Sequence, residues 1–350
     1  MNAVQTDLAD IPNEIMEEML CHLPITPPAS LLAIAFASKT YLGSHLLTVQ
    51  FARRHFRAKL AQSEFDFWQF LAEAGLKNHG FVLLPLHYKA AIYSEVLSAP
   101  DWVGIYDLSH ADEENANLMW SEDWSLPEPN TLFMFQTIHQ QLSFDFSCGN
   151  NRAIRWMCRS GYLEVVKYLL QDPRVDPTDD CLPNAAEFGR YNIVAYLMKD
   201  SRVDPSAGHK YSIRGDPTVK KPLSNYAIRF ACLNGHKDIV ELLLTDERVD
   251  PSAEANVCLC NSAWHGFADI VELLLKDPRV DIATQDNYAM HVACQNGHLA
   301  VARVLMADKK MDRWFAQTVG IAVAQNNQRT AIVNFLRDYL YEEEDSSDSS

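Results

Sequence analysis

One short string recurs five times in the C-terminal half of the chain, and that repetition limits the fold more than any other feature. It runs Asp172-Pro-Arg-Val-Asp-Pro177, Asp200-Ser-Arg-Val-Asp-Pro205, Asp246-Glu-Arg-Val-Asp-Pro251, Asp277-Pro-Arg-Val-Asp-Ile282 and, more weakly, Asp308-Lys-Lys-Met-Asp312. The first residues of these strings stand 28, 46, 31 and 31 positions apart. A period near 31 residues therefore holds, with one insertion inside the second interval. Gly161, Gly189, Gly235, Gly266 and Gly297 keep the same spacings. A period of this size marks units that are each one supersecondary element, unable to bury an apolar face alone and stable only when stacked.

The contents of one unit follow from local patterns. Four residues after each glycine comes an apolar pair, and four residues later another. Ile239-Val240 with Leu243-Leu244 and Ile270-Val271 with Leu274-Leu275 are examples. This is one apolar face of a short α-helix. Ahead of each glycine a second helix is expected, with a small residue three places before it: Cys158, Ala186, Cys232, Ala263 and Cys294. Small residues there let neighbouring helices approach, and the glycine fits a left-handed residue ending the inner helix. The unit is thus helix, tight turn, helix, then an Asp/Pro-rich connector.

These residues resemble the ankyrin repeat. Asn225-Tyr-Ala-Ile-Arg-Phe-Ala-Cys-Leu-Asn-Gly-His236 and Asn287-Tyr-Ala-Met-His-Val-Ala-Cys-Gln-Asn-Gly-His298 carry the likeness, although the family's Thr-Pro-Leu-His box is altered to Ala-Ile-Arg or Ala-Met-His. The expectation is an all-α chain with an ankyrin-repeat solenoid over residues 151–340. It would comprise about six units, the last a degenerate cap without the glycine, whose Arg329, Asn334 and Arg337 suit a wet outer face. The resemblance places the variable inner-helix residues along a target-binding groove. These are Trp156 and Arg159; Asn184, Glu187 and Phe188; Phe230, Leu233 and Asn234; Asn261, Trp264 and His265; and Val292, Gln295 and Asn296. Aromatics are enriched in binding hot spots; packing of Trp156 and Trp264 against neighbouring repeats is the alternative. His236, His298 and His291 match histidines that the family uses structurally.

Outside the repeats the signals are shorter. Residues 207–224 hold Pro, Gly and basic residues without apolar periodicity, and an exposed loop is expected there, either a binding loop or a tolerated insertion. The acidic segment 341–350, Tyr-Glu-Glu-Glu-Asp-Ser-Ser-Asp-Ser-Ser, is expected to be disordered. Residues 46–150 suggest helices over 50–75, near Pro85–Ala91 and over 132–142, joined by irregular segments. At the other end, Asp10-Ile-Pro-Asn-Glu-Ile-Met-Glu-Glu-Met-Leu-Cys-His-Leu23, a proline-rich turn and a helix over Ala29–Tyr41 resemble the F-box. Tyr41 stands near the place of the family's frequent tryptophan. The resemblance implies that residues 1–45 dock a Skp-family adaptor of a cullin-type ubiquitin ligase through Ile11, Pro12, Ile15, Leu20, Leu23, Leu31 and Leu32. An ordinary amphipathic hairpin capping the next domain is the other reading.

Composition narrows the function. The formal net charge of −16 opposes phosphate backbones and anionic membranes, so neither nucleic acid nor membrane is an expected partner. The N-terminus lacks a basic and apolar leader, and the longest apolar run, Leu31–Ala37, is far short of the roughly 20 residues that span a bilayer. A soluble protein of the cytoplasm or nucleus is expected. Phosphate loops, dinucleotide fingerprints, zincin motifs and nucleophile elbows are missing from the sequence. Cys258 and Cys260 have the wrong spacing for zinc. Neither an enzyme nor a cofactor is expected. Two functions fit: a substrate-recruiting ligase adaptor, or an ankyrin scaffold or inhibitor with no ubiquitin link.

Overall fold

A computed structural model describes residues 48–63, 84, 86–98, 128–177, 180–208 and 224–347. The F-box-like segment, with Ile11, Pro12, Ile15, Leu20, Leu23, Leu31 and Leu32, lies outside the described residues, as does most of the insertion. The described residues form helices and no strand. The chain divides into two compact units, one of residues 1–154, 164–175 and 213–215, the other of the remainder.

The first unit contains α1 (Val49–Gln62), α2 (Leu86–Ser98) and α3 (Glu128–Leu142), each packed against the other two. Thr48 caps α1 by accepting from the Phe51 amide at 3.1 Å. Phe51, Phe56, Ile92, Leu97, Met134, Phe135 and Ile138 form a closed core. The basic run of α1 is partly neutralised: Arg53 and Arg57 both pair with Glu95. Buried His55 meets the Tyr88 hydroxyl at 2.5 Å. Helix α4 (Cys148–Ser160) begins in this unit, and its Arg152 Nη1 donates to the Val96 and Leu97 carbonyls at 2.7 and 3.2 Å. That guanidinium caps the C-terminus of α2, where the orphan carbonyls of a helix collect. The helices anticipated at Pro85–Ala91 and 132–142 are present as α2 and α3. The helix anticipated over 50–75 is capped at Ser63.

The second unit is built from helical hairpins. After α5 (Leu163–Leu169) come α6 (Cys181–Glu187) with α7 (Tyr191–Leu197), α8 (Tyr226–Leu233) with α9 (Lys237–Leu243), α10 (Ala253–His265) with α11 (Ala268–Leu274), and α12 (Thr284–Asn296) with α13 (Leu299–Ala307). A last hairpin joins α14 (Arg313–Phe315), a π-helical turn at Ala316–Gly320 and α15 (Ile321–Asn326) to α16 (Thr330–Ser347). Within this unit α6, α8, α10 and α12 pack in succession as an inner layer, and α7, α9, α11 and α13 as an outer one. The periodic apolar residues do what their spacing predicts: Ile193, Val194, Leu197, Ile239, Val240, Leu243, Ile270, Val271 and Leu274 are all buried. The small residues Ala186, Cys232, Ala263 and Cys294 are buried between neighbouring helices.

Each hairpin turns on its glycine. Gly161, Gly189, Gly235, Gly266 and Gly297 have φ between +69° and +91°. The amide that follows reaches back to the carbonyl four residues before the glycine, for example His236 N to Ala231 O at 2.9 Å. This is a Schellman-type closure, and the left-handed residue it needs is cheapest as glycine. The last hairpin keeps the closure, Arg329 N to Ala324 O at 2.8 Å, with Gln328 at φ +58° in the glycine's place.

Two features depart from the sequence expectation. Helix α16 runs to Ser347, so residues 341–347 are helical where a disordered tail was expected; the helix started by the apolar face of Ile332, Val333 and Leu336 continues past it, and glutamate is a good helix former. The second departure is a left-handed turn ahead of the inner helices. Glu254, Ala255 and Asn256, and again Gln285, Asp286 and Asn287, take three successive positive φ values of +54° to +59°. Asn is among the few side chains that tolerate this region. It is also used: Asn225 Oδ1 accepts from the Asp250 amide at 2.8 Å and Asn256 Oδ1 from the Asp281 amide at 3.1 Å. Each asparagine thus ties its own unit to the next connector. The connectors are stiffened locally, because Asp172, Asp200, Asp246 and Asp277 each accept from the backbone and guanidinium of the arginine two residues on.

Candidate binding groove

The last turn of each inner helix carries the residues predicted to face a partner, and the glycine turn sets their direction. A row of side chains just after the glycines then fastens neighbouring turns together. His236 Nε2 donates to the Glu187 carbonyl at 3.0 Å, and His298 Nε2 to the Trp264 carbonyl at 2.9 Å. At the same register position Arg190 Nε donates to the Arg159 carbonyl at 2.9 Å, and Arg329 Nε to the Gln295 carbonyl at 3.0 Å. Every accepting carbonyl lies two residues before the glycine of the preceding unit. The histidines therefore hold one unit to the next, as their structural role predicts, and Arg190 and Arg329 do the same work unforeseen. Phe267 breaks the row: it lies over Gly235 and cannot donate.

The ring or guanidinium of each fastening residue sits where a glycine Cβ would be. A Cβ at Gly189 would lie 2.7 Å from His236 Cε1, and one at Gly266 2.5 Å from His298 Nδ1. Glycine is thus required twice over at these positions, by backbone sign and by close approach.

The predicted groove residues separate into three groups. Trp264 is 43 % exposed, His265, Asn234 and Trp264 are all classed exposed, and Arg159, Glu187, Phe188, Phe230, Leu233, Asn261, Gln295 and Asn296 are half-buried. Trp156 is a correction: it is 5 % exposed and packs as core, so it presents no ring to a partner. Asn184 and Val292 are buried as well. A repeat position fixes where a side chain points but not how much its neighbours cover. Asn234 and Asn296 are exposed or half-buried but spend their amides on structure. Asn234 Nδ2 donates to the Phe230 carbonyl at 3.0 Å, and Asn296 Nδ2 to the Trp264 carbonyl at 3.0 Å.

What remains is an aromatic and cationic surface. The Arg159 guanidinium lies 4.1 Å from the centre of the Phe188 ring, a cation–π contact. Phe230 meets Tyr226 at 5.3 Å, and His265 stacks on Phe267 at 5.8 Å. Burial pushes the Glu187 carboxyl pKa up, with Arg159 pulling it partly back. Arg229 lies 4.9 Å over Tyr226, and its Nε and Nη1 have no hydrogen-bond partner. Sequence position alone had assigned Arg229 only to the altered helix-entry box.

The thiols of the inner layer are closed off. Cys158, Cys181, Cys232, Cys258, Cys260 and Cys294 are free and buried. Burial raises the pKa of Cys260 to about 11 and of Cys294 to about 12, far from the thiolate a nucleophile needs. Among the described residues no group of three or more His, Cys, Asp or Glu could hold a metal ion. No helix among them is long and apolar enough to cross a membrane. No protein-family model matches the chain, and no curated protein sequence matches it.

Proposed function

We propose that this chain is an ankyrin-type interaction protein that recruits a target through its inner-helix groove and docks a Skp-family adaptor of a cullin-type ubiquitin ligase through residues 1–45. It does no chemistry itself and acts inside the cell. The observation that carries the reading is the fastened stack of hairpins. Left-handed glycine turns hold successive inner helices side by side, and Glu187, Phe188, Trp264 and His265 just before them keep part of their surface exposed. A surface of this kind, aromatic at Phe188, Phe230 and Trp264, has the composition of a protein-binding hot spot.

The adaptor half of the proposal rests on the F-box-like residues of the sequence. Its test is a pull-down of the full chain with a purified Skp-family adaptor. Wild type is expected to be retained, and Ile15→Asp with Leu20→Asp to be lost. Absence of retention, or retention unchanged by the double substitution, removes the ligase connection. In that case the chain is a scaffold or inhibitor that uses the groove alone.

A further inference from the structure

The charge of the groove runs against the charge of the chain. The chain as a whole carries −16. Along the later turns of the inner helices and the glycine turns, residues 155–162, 181–190, 226–236, 257–267, 288–298 and 321–329, the charged residues are Arg155, Arg159, Arg190, Arg229 and Arg329 against Glu187, while Asp180, Glu254 and Asp286 stand at the starts of those helices. Arg155 is answered from the start of the next inner helix by Asp180 at 3.8 Å.

The cations are also held in place before any ligand arrives. Arg190 is exposed, and its Nε is fixed on the carbonyl of Arg159. That bond leaves its terminal amino groups without a protein partner among the described residues. Arg159 is fixed in turn over the Phe188 ring. Both guanidinium groups are thereby anchored, Arg190 on a backbone carbonyl and Arg159 over an aromatic ring, a preorganised arrangement that suits carboxylates. Further along the inner layer the charge gives way to uncharged apolar surface at Phe230, Leu233 and Trp264.

Resting on the groove assigned under Proposed function, the geometry points to its occupant: an acidic peptide segment with an apolar anchor. Its carboxylates lie against Arg159 and Arg190, and a Leu, Phe or Trp side chain lies on Phe230 and Trp264. The overall negative charge of the protein repels such a segment elsewhere, so attraction confined to the groove also selects against wrong docking.

The test is a selection of random peptides of about twelve residues, displayed on phage, against the immobilised full-length chain. Selected peptides are then synthesised with a fluorophore and measured by anisotropy. Enrichment of Asp and Glu beside a large apolar residue is expected. Affinity should fall about tenfold in Arg159→Gln with Arg190→Gln and fall steeply with added salt, while Lys276→Gln on the outer layer leaves it unchanged. Because Arg190→Gln also removes a structural hydrogen bond, the same peptides with Glu replaced by Gln are measured on the wild-type chain, where a comparable loss is expected. Neutral or basic peptides whose binding is lost in Trp264→Ala would overturn this inference and leave the groove itself standing. Acidic peptides indifferent to both the arginine and Trp264→Ala variants, or no selection at all, would overturn it together with the groove.

Discussion

Gly266→Ala tests the physical basis of the stack at one atom. Gly266 has φ +83°, and an alanine there pays left-handed strain of about 1–2 kcal/mol. The new Cβ would also lie 2.5 Å from His298 Nδ1, 2.8 Å from Cε1 and 3.0 Å from Cγ. The imidazole is rigid, so the ring must move as a whole and its 2.9 Å bond to the Trp264 carbonyl is lost. Losing that bond costs about 0.5–1.5 kcal/mol. The carbonyl keeps the Asn296 donor, so no buried acceptor is stranded. Alanine restricts the unfolded chain, which returns about 0.4–1 kcal/mol. The net expectation is destabilisation of about 2 kcal/mol, read as a shift in the urea midpoint followed by far-UV circular dichroism. A double-mutant cycle with His298→Ala separates the contributions. With the ring gone, Gly266→Ala should cost only the backbone strain, leaving a coupling of about 1 kcal/mol. Gly297→Ala is the comparison, because its Cβ meets the flexible Arg329 Cδ at 2.9 Å and should cost less. Additive behaviour of Gly266→Ala and His298→Ala, or a cost at Gly297 as large as at Gly266, would refute the close-approach reasoning.

Gln328→Gly should stabilise the chain by roughly 0.5–1 kcal/mol, since it relieves a non-glycine residue at φ +58° against the entropy glycine loses on folding; a lowered urea midpoint counts against this. Glu187→Gln should stabilise at pH 7 and have little effect in acid. Its carboxyl pKa is raised by folding, so its contribution is favourable below the ordinary carboxylate range and is lost as pH rises through the folded value; melts at the two pH values check the sign. Among the described cysteines, half-buried Cys148 should be the first alkylated by iodoacetamide in the native protein. Cys260 and Cys294, with pKa values near 11 and 12, should remain unmodified until unfolding, as peptide mass spectrometry would show.

The hairpins were legible because two independent periodicities agree. The glycine recurs with the connector, and the apolar pairs recur at helical spacing between them, so hairpin boundaries and buried faces follow from sequence alone. The sign of the glycine φ was legible for the same reason. The left-handed turns at Glu254–Asn256 and Gln285–Asn287 were not, since neither contains glycine. The signal was present in Asn225, Asn256 and Asn287, which recur in step with the glycines, but an asparagine in a turn has many uses. Only the bonds to the Asp250 and Asp281 amides show which one applies. Burial among the predicted groove residues was the least legible property. Trp156 and Phe230 share one repeat position, yet one is core and the other half-exposed.

The same physics explains why the residues beside the glycine turns can differ while the hairpins keep their form. The inner helices α8 and α10 are fixed at both ends: at the start by the Asn225 and Asn256 side chains bonded to the next connector, at the finish by the glycine turn. These fastenings use backbone carbonyls and amides as partners, so they make no demand on the side chain of the residue two before the glycine. Glu187, Leu233, Trp264 and Gln295 differ in charge, size and polarity, yet three of them, Glu187, Trp264 and Gln295, offer the same carbonyl to a donor from the next unit. Leu233 is the exception that makes the point, because Phe267 stands where its donor would be and the Gly235 turn still closes through the His236 amide and the Ala231 carbonyl at 2.9 Å. The turns therefore close through backbone polar groups, and the side chain two residues before each glycine can differ in charge, size and polarity from unit to unit.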